Sequence, residues 1–158
     1  ARARLDVVAR ARLATFSLDL AGLKVRRVTV DGVRARFAQK NGKLVVTPAR
    51  PVAKGKRFAV EIEYAGRPKP IQDPTAHGLP QYRLGWFHYS PGTYVVSEPV
   101  GASTFFPAND TPIDKATFTF RVTVPKGFVG VANGTLARTD DLGGRTRYVW
   151  EMRQPMTT

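Results

Sequence analysis

The side chains able to do chemistry are few. His77 and His88 are the only histidines, eleven residues apart, and Asp73 is the only carboxylate near them. A zinc site needs about three or four His, Cys or carboxylate ligands, so this spacing is a poor match and no metal site is expected in the chain. There is no cysteine, which removes disulfides, thiolate zinc sites, iron–sulfur clusters and cysteine nucleophiles together. Ser97 and Ser103 lie near Glu98 but have no evident base, and no Gly-x-Ser-x-Gly elbow is present. Neither a Walker loop nor a Gly-x-Gly-x-x-Gly following a strand occurs. Asn133-Gly134-Thr135 fits a glycosylation sequon, but a tight turn accounts for the same three residues.

The most informative stretch runs from Val95 to Val124, VVSEPVGASTFFPANDTPIDKATFTFRVTV. Its lone early carboxylate, Glu98, stands beside Pro99 among apolar neighbours. In an apolar setting a carboxylate needs a partner, because an unpaired buried charge is costly. The expected partner is an arginine, of which the chain has many. Asp110 and Asp114 are expected to bond their own loop backbone as Asx turns, and Lys115 to pair with one of them.

The elements that must carry these residues read as strands. Phe58, Val60, Ile62 and Tyr64 alternate with Arg57, Ala59, Glu61 and Glu63. Phe118, Phe120, Val122 and Val124 alternate with Thr117, Thr119, Arg121 and Thr123, and Tyr148, Trp150 and Met152 with Arg147, Val149 and Glu151. Phe16, Leu18 and Leu20 repeat the pattern. A period of two puts one apolar and one polar face on each run. Asp31-Gly32, Asn41-Gly42, Asn133-Gly134 and Gly143-Gly144 are turn signals, and a hairpin is expected at Asn41-Gly42. No stretch longer than two turns shows helical periodicity. The expected fold is all-β, a sandwich or stacked sheets forming one domain over residues 1–158.

One segment breaks this rhythm. Gly66 to Gly92 carries five prolines and four glycines, so it is expected to be an irregular loop. Its aromatics Tyr82, Trp86, Phe87 and Tyr89 are expected to pin it to the sheet. A sugar-stacking platform or a docking surface for another domain are the alternatives.

The net charge of +13 invites a nucleic-acid or anionic-membrane partner. The arginines argue otherwise: Arg2, Arg4, Arg10 and Arg12 alternate with apolar residues, as on a solvated sheet face, and no recognition motif accompanies them. No nucleic acid is expected as a partner. No apolar run approaches the roughly 20 residues of a membrane span, and no signal peptide is visible.

Glu98-Pro99, Phe106-Pro107, Asp110, Pro112, Lys115-Ala116 and Phe118, closed by Val124-Pro125, resemble a segment of the aminopeptidase N family of zinc peptidases. That family reads Gln-x-Glu-Pro, then Phe-Pro-x-x-Asp-x-Pro, then Lys-Ala-x-Phe. Phe16 to Leu20, Val28 to Val30, Val131 to Gly134 and Glu151 to Met156 are similar to its other strands. Phe-Pro-Ala-Asn-Asp looks most like actinobacterial members. The resemblance implies a saddle-like N-terminal β domain that lacks its first strand or two. It implies a following catalytic domain with a His-Glu-x-x-His zinc helix and a Gly-x-Met-Glu-Asn motif, neither of which occurs here. Zinc would then belong to that domain, with no cofactor in this chain. The implied partners are the chain's own catalytic domain and a peptide substrate. Glu98 takes the place of the glutamate that binds the substrate α-amine, while Val96 replaces the family glutamine. The alternative is a stand-alone β-sandwich module binding carbohydrate or protein.

Overall fold

The computed structural model describes every residue except His77, Gly78 and Pro80. The chain divides into two compact units, Ala1–Thr111 with Thr158, and Pro112–Thr157. Both are built of antiparallel sheet, and the fold is all-β. Among the described residues no helix is long and apolar enough to cross a membrane.

Among the described residues the first unit contains ten strands: β1 (Arg2–Val8), β2 (Phe16–Asp19), β3 (Lys24–Val30), β4 (Val33–Arg34), β5 (Arg36–Lys40), β6 (Lys43–Thr47), β7 (Arg57–Ala65), β8 (Ile71–Gln72), β9 (Arg83–His88) and β10 (Thr93–Val96). They form a four-stranded sheet in the order β1-β7-β3-β4 and two three-stranded sheets, β2-β6-β5 and β10-β9-β8. The period of two in β7 works as expected: Phe58, Val60, Ile62 and Tyr64 are buried and the residues between them are half-buried. These side chains share one core with Val25, Val28 and Val30 of β3 and with Leu18, Leu44 and Val46 of the β2-β6-β5 sheet. Phe16 meets Phe58 edge-on at 5.7 Å, an arrangement that aromatic quadrupoles favour.

Two hairpins follow from their turn residues. Asn41 (φ 50°) and Gly42 (φ 72°) join β5 to β6 with Lys40 opposite Lys43, as the sequence predicts. Asp31 (φ 49°) and Gly32 (φ 78°) join β3 to β4 in the same way, with Val30 opposite Val33. Positive φ at both central residues is what matches turn twist to strand twist. β1 is an edge strand, and it sets Arg2, Arg4 and Asp6 on the outer face. Glu61 answers both arginines. Charge on an exposed edge discourages pairing with another chain.

The segment Gly66 to Gly92 is not the irregular loop expected from its prolines. It supplies β8 and β9, and β9 pairs with β10 through Gly85↔Val96, Trp86↔Val95, Phe87↔Tyr94 and His88↔Thr93. The prolines fall outside the run Arg83–His88, whose amide donors are therefore intact.

The second unit is a three-stranded sheet in the order β11-β13-β12, from β11 (Ala116–Pro125), β12 (Thr135–Asp141) and β13 (Arg145–Met156). Phe118↔Met152, Phe120↔Trp150 and Val122↔Tyr148 pair across it. Trp150 Nε1 donates to the Gly130 carbonyl at 2.9 Å, tying the β11–β12 connection back to the sheet. Gly134 (φ 100°) has no room for a side chain, since a Cβ there would lie closer than 3.0 Å to the Glu151 backbone. Packing thus explains the glycine of Asn133-Gly134-Thr135.

Candidate functional site

The candidate site lies entirely in the first unit, on the turn that follows β10. The chain leaves the sheet at Val96, passes Ser97, Glu98 and Pro99, and enters a short 3₁₀ turn at Ala102–Thr104. Three sets of bonds hold this turn. Asp110 Oδ2 accepts the backbone N–H groups of Gly101 and Ser103, each at 3.0 Å. Thr104, fully buried, donates its hydroxyl to the Gly101 carbonyl at 2.6 Å and accepts the Trp86 N–H at 3.1 Å. The Ser103 carbonyl accepts the Ala21 N–H at 2.8 Å.

Two glycines make the approach to β9 possible. A Cβ on Gly85 (φ 107°) would lie closer than 3.0 Å to Thr104 Oγ1, Cγ2 and Cβ, and one on Gly101 (φ 135°) would lie 2.9 Å from the Gly85 nitrogen. The Thr104 side chain thus packs on the bare Gly85 backbone and the Gly101 backbone meets that of Gly85, approaches that glycine permits. Beyond the turn, Asp19 and Ala108 exchange two backbone bonds, at 2.7 and 3.1 Å, anchoring it to β2. Tyr64 of β7 donates its hydroxyl to the Phe105 carbonyl at 3.0 Å. Burial pushes the Tyr64 phenol up to about 12, because the phenolate would lose its hydration.

The side chain of Glu98 is not part of this bonded frame. It is exposed, and among the described residues it makes no ion pair and no side-chain hydrogen bond. The arginine partner expected from its apolar neighbours is absent, and the reason is exposure. Val95 is 40% and Val96 43% exposed, so no low-dielectric pocket surrounds the carboxylate and no internal partner is required. Val96 ends β10 two residues before Glu98.

The other candidates resolve differently. Asp110 does not form an Asx turn with its own loop; it reaches back to Gly101 and Ser103. Asp114 and Lys115 are exposed and belong to the second unit. Asp73 is used by its own turn, accepting the Thr75 N–H and hydroxyl at 2.7 Å each. His88 Nε2 lies 3.0 Å from the Pro68 carbonyl, while His77 falls outside the described residues. Among the described residues no group of three His, Cys, Asp or Glu side chains is placed to hold a metal ion. Ser97 Oγ is buried with no hydrogen-bond partner among the described residues, so no base activates it, and Ser103 is 5% exposed.

Of the four aromatics in the 66–92 segment, Trp86 packs inward against Phe105 at 5.4 Å. Phe87 stacks on Tyr94 at 5.1 Å, nearly parallel, with Tyr94 51% exposed. Tyr82 and Tyr89 are also about half exposed. The aromatics therefore both pin the segment and surface it. Sequence reasoning passed over Gly85, Gly101 and Thr104. An isolated glycine inside Arg-Leu-Gly-Trp-Phe-His was the available signal, since such a glycine marks close backbone approach.

Residues 3–158 match the model of the peptidase M1 N-terminal domain. The chain is 28% identical, over 149 residues, to a leucyl aminopeptidase of Saccharolobus solfataricus, covering 91% of this chain and 17% of that protein. It is 27% identical to a probable aminopeptidase 1 of Sulfurisphaera tokodaii, covering 89% of this chain and 16% of that protein. Among solved structures it resembles an M1 zinc metallopeptidase from Deinococcus radiodurans at TM-score 0.89 and 35% identity, covering 99% of this chain and 35% of that one. A variant of the Deinococcus enzyme bound to a Tyr-Ser-Ala substrate gives TM-score 0.88 at 37% identity, with the same coverage. The chain thus spans about a sixth of the curated relatives and about a third of the structural ones. The chain belongs to the family of peptidase M1 N-terminal domains.

Proposed function

We propose that this chain is the N-terminal domain of a zinc-dependent aminopeptidase, that both its units act together as that domain, and that it caps the active-site cleft of a following catalytic domain. Glu98 binds the free α-amine of the peptide substrate. The observation that carries this reading is an exposed carboxylate without a partner among the described residues, on a turn whose backbone is bonded at Gly101, Ser103 and Thr104. Such a group is free to accept charge-assisted hydrogen bonds from an ammonium. Because its carrier is fixed, it sets the position of the substrate's first residue and so favours removal of one residue at a time. The aminopeptidase relatives and the substrate-bound Deinococcus structure support the substrate class. Zinc in this reading is held by the catalytic domain. His88 and Asp73 are already engaged within their own segment and are not its ligands.

The test is Glu98→Gln and Glu98→Ala in the enzyme that carries this domain. Loss of a charge pair on a desolvated ammonium lowers kcat/KM by about 2–5 kcal/mol, roughly 30- to 5000-fold. An unchanged kcat/KM on aminoacyl anilides would remove Glu98 from the mechanism. The chain by itself is expected to hydrolyse no such substrate, and metal-dependent turnover by it alone would overturn the assignment.

The Phe87–Tyr94 stack favours a second reading, a module that receives a planar or sugar ring on Tyr94. Saturable quenching of tryptophan fluorescence by an oligosaccharide would support it, and a flat titration would remove it.

A further inference from the structure

We infer that Asp110 is a positioning residue for Glu98: its carboxylate fixes the turn that presents Glu98 to the substrate amine, and the charge of Asp110 itself plays no direct part. The inference rests on the α-amine reading of Glu98 and adds to it the group that sets the geometry.

Both oxygens of Asp110 are occupied. Oδ2 takes the N–H groups of Gly101 and Ser103, at 3.0 Å each, and Oδ1 takes the Thr158 hydroxyl at 3.2 Å. The backbone of Asp110 is fixed as well, its N–H donating to Asp19 Oδ2 at 3.2 Å. Asp19 in turn is paired with Lys43 and bonded to Ala108 through its backbone. A continuous set of bonds therefore runs from β2 through Asp19 and Asp110 to Gly101 and Ser103, the residues that close the turn three and five positions after Glu98. With its acceptor sites filled from within the chain, Asp110 is poorly placed to bind an ammonium. Glu98, three residues before Gly101 and with no side-chain bond among the described residues, is well placed to do so.

A carboxylate accepting two backbone N–H groups acts through shape. Asparagine presents one oxygen at the position of Oδ2, so it keeps both bonds while losing the charge. Glutamate keeps the charge but moves the oxygens by one methylene, so the turn must shift or the bonds must lengthen. Displacement of about 1 Å in a positioned group costs on the order of a hundredfold in rate. The two substitutions thus separate geometry from charge.

The experiment compares Asp110→Asn, Asp110→Glu, Glu98→Gln and the double variant Asp110→Glu/Glu98→Gln in the full enzyme, with an aminoacyl anilide as substrate. Asp110→Asn is expected to keep kcat/KM within about threefold of the parent, and Asp110→Glu to lose about tenfold or more. The double variant is expected to match Glu98→Gln alone, because Asp110 acts only through Glu98 and coupled residues are non-additive. A loss in Asp110→Asn with retention in Asp110→Glu would show that charge matters and overturn the inference. Losses that multiply in the double variant would overturn it too, as would parental activity in Asp110→Glu beside an impaired Glu98→Gln. Parental activity in Glu98→Gln would overturn the α-amine reading and this inference together. Should Asp110→Glu fail to fold, the Asp110→Asn result still decides, since retained activity is required of it.

Discussion

Gly85→Ala isolates the close approach on which the candidate site is built. The backbone at Gly85 has φ 107°, a region L-residues rarely occupy, and forcing alanine into such a conformation costs about 1–3 kcal/mol. The new methyl would also lie closer than 3.0 Å to Thr104 Oγ1, Cγ2 and Cβ. Thr104 is fully buried and committed to Gly101 and Trp86, so it has no alternative position, and overpacking of this kind adds about 1–3 kcal/mol. The expected total is about 2–6 kcal/mol, read as a shift in the urea midpoint followed by tryptophan fluorescence, Trp86 being the next residue. Gly42→Ala is the control. It too has positive φ, 72°, but nothing lies within 4 Å of a Cβ there, so it should cost only about 1–2 kcal/mol. Thr104→Ala removes Oγ1 and Cγ2 but leaves Cβ. It breaks two hydrogen bonds and costs about 2–4 kcal/mol by itself. Placed on Gly85→Ala, it should cost about 1–3 kcal/mol less than the simple sum, because it relieves most of the clash. If Gly85→Ala proved no worse than Gly42→Ala, or the two effects simply added, the approach of β9 to the 3₁₀ turn would not be the tight contact described.

Three further outcomes follow from single contacts. Tyr64, 6% exposed, holds its phenol proton to about 12, above the ordinary value, so its stabilising contribution is complete below about pH 10 and is lost as the pH rises toward 12. Alkaline unfolding should therefore soften by about 2–3 kcal/mol across that window in the parent but not in Tyr64→Phe, and equal alkaline profiles for the two proteins would refute it. Asp31 is held below the ordinary carboxylate range first by its hydrogen bond from Lys56 and then by the Ala59 N–H, so the stability it gives is present above the unfolded value and lost as pH falls through the folded one. Its NMR titration midpoint should rise in Lys56→Met, and an unmoved midpoint would remove Lys56 as the main cause. Gln39 stands in for a missing backbone neighbour at the irregularity in β3, accepting the Val25 N–H at 2.8 Å and donating to the Leu23 carbonyl at 2.7 Å. Gln39→Leu should cost about 1–3 kcal/mol in chemical denaturation, whereas a neutral substitution would mean that water serves those groups equally well.

What could be read from the sequence is what depends on local period and local turn chemistry. The alternation in β7 and in β11 had to become strand, because no other backbone separates Phe58, Val60, Ile62 and Tyr64 from the glutamates between them. Asn41-Gly42 had to become a two-residue hairpin once strands flanked it. β9 was hidden for a physical reason. Its one glycine looks like a break in a run of Leu, Trp and Phe, and its meaning depends on Thr104, nineteen residues later. The exposure of Glu98 was hidden for a related reason. Apolar neighbours in sequence say nothing of whether another layer covers them, and Val95 and Val96 are left open.

The same contrast explains why the candidate site is built as it is. A periodic strand can hold a side chain to one face, but alternation alone cannot fix the reach and angle of a group that follows the strand's end. At Glu98 that precision comes from non-periodic residues: Gly85 and Gly101 for clearance, Thr104 and Asp110 for bonds. Each costs stability elsewhere in a protein, as flexible backbone or as buried polar groups that need partners. Here each supplies what another lacks. The hydroxyl of Thr104 occupies the space that Gly85 leaves free, and the carboxylate of Asp110 satisfies the two N–H groups exposed by the turn at Gly101. The backbone that carries Glu98 is already ordered by these bonds, so only the side chain's own rotamers remain to be fixed when its carboxylate meets a cation.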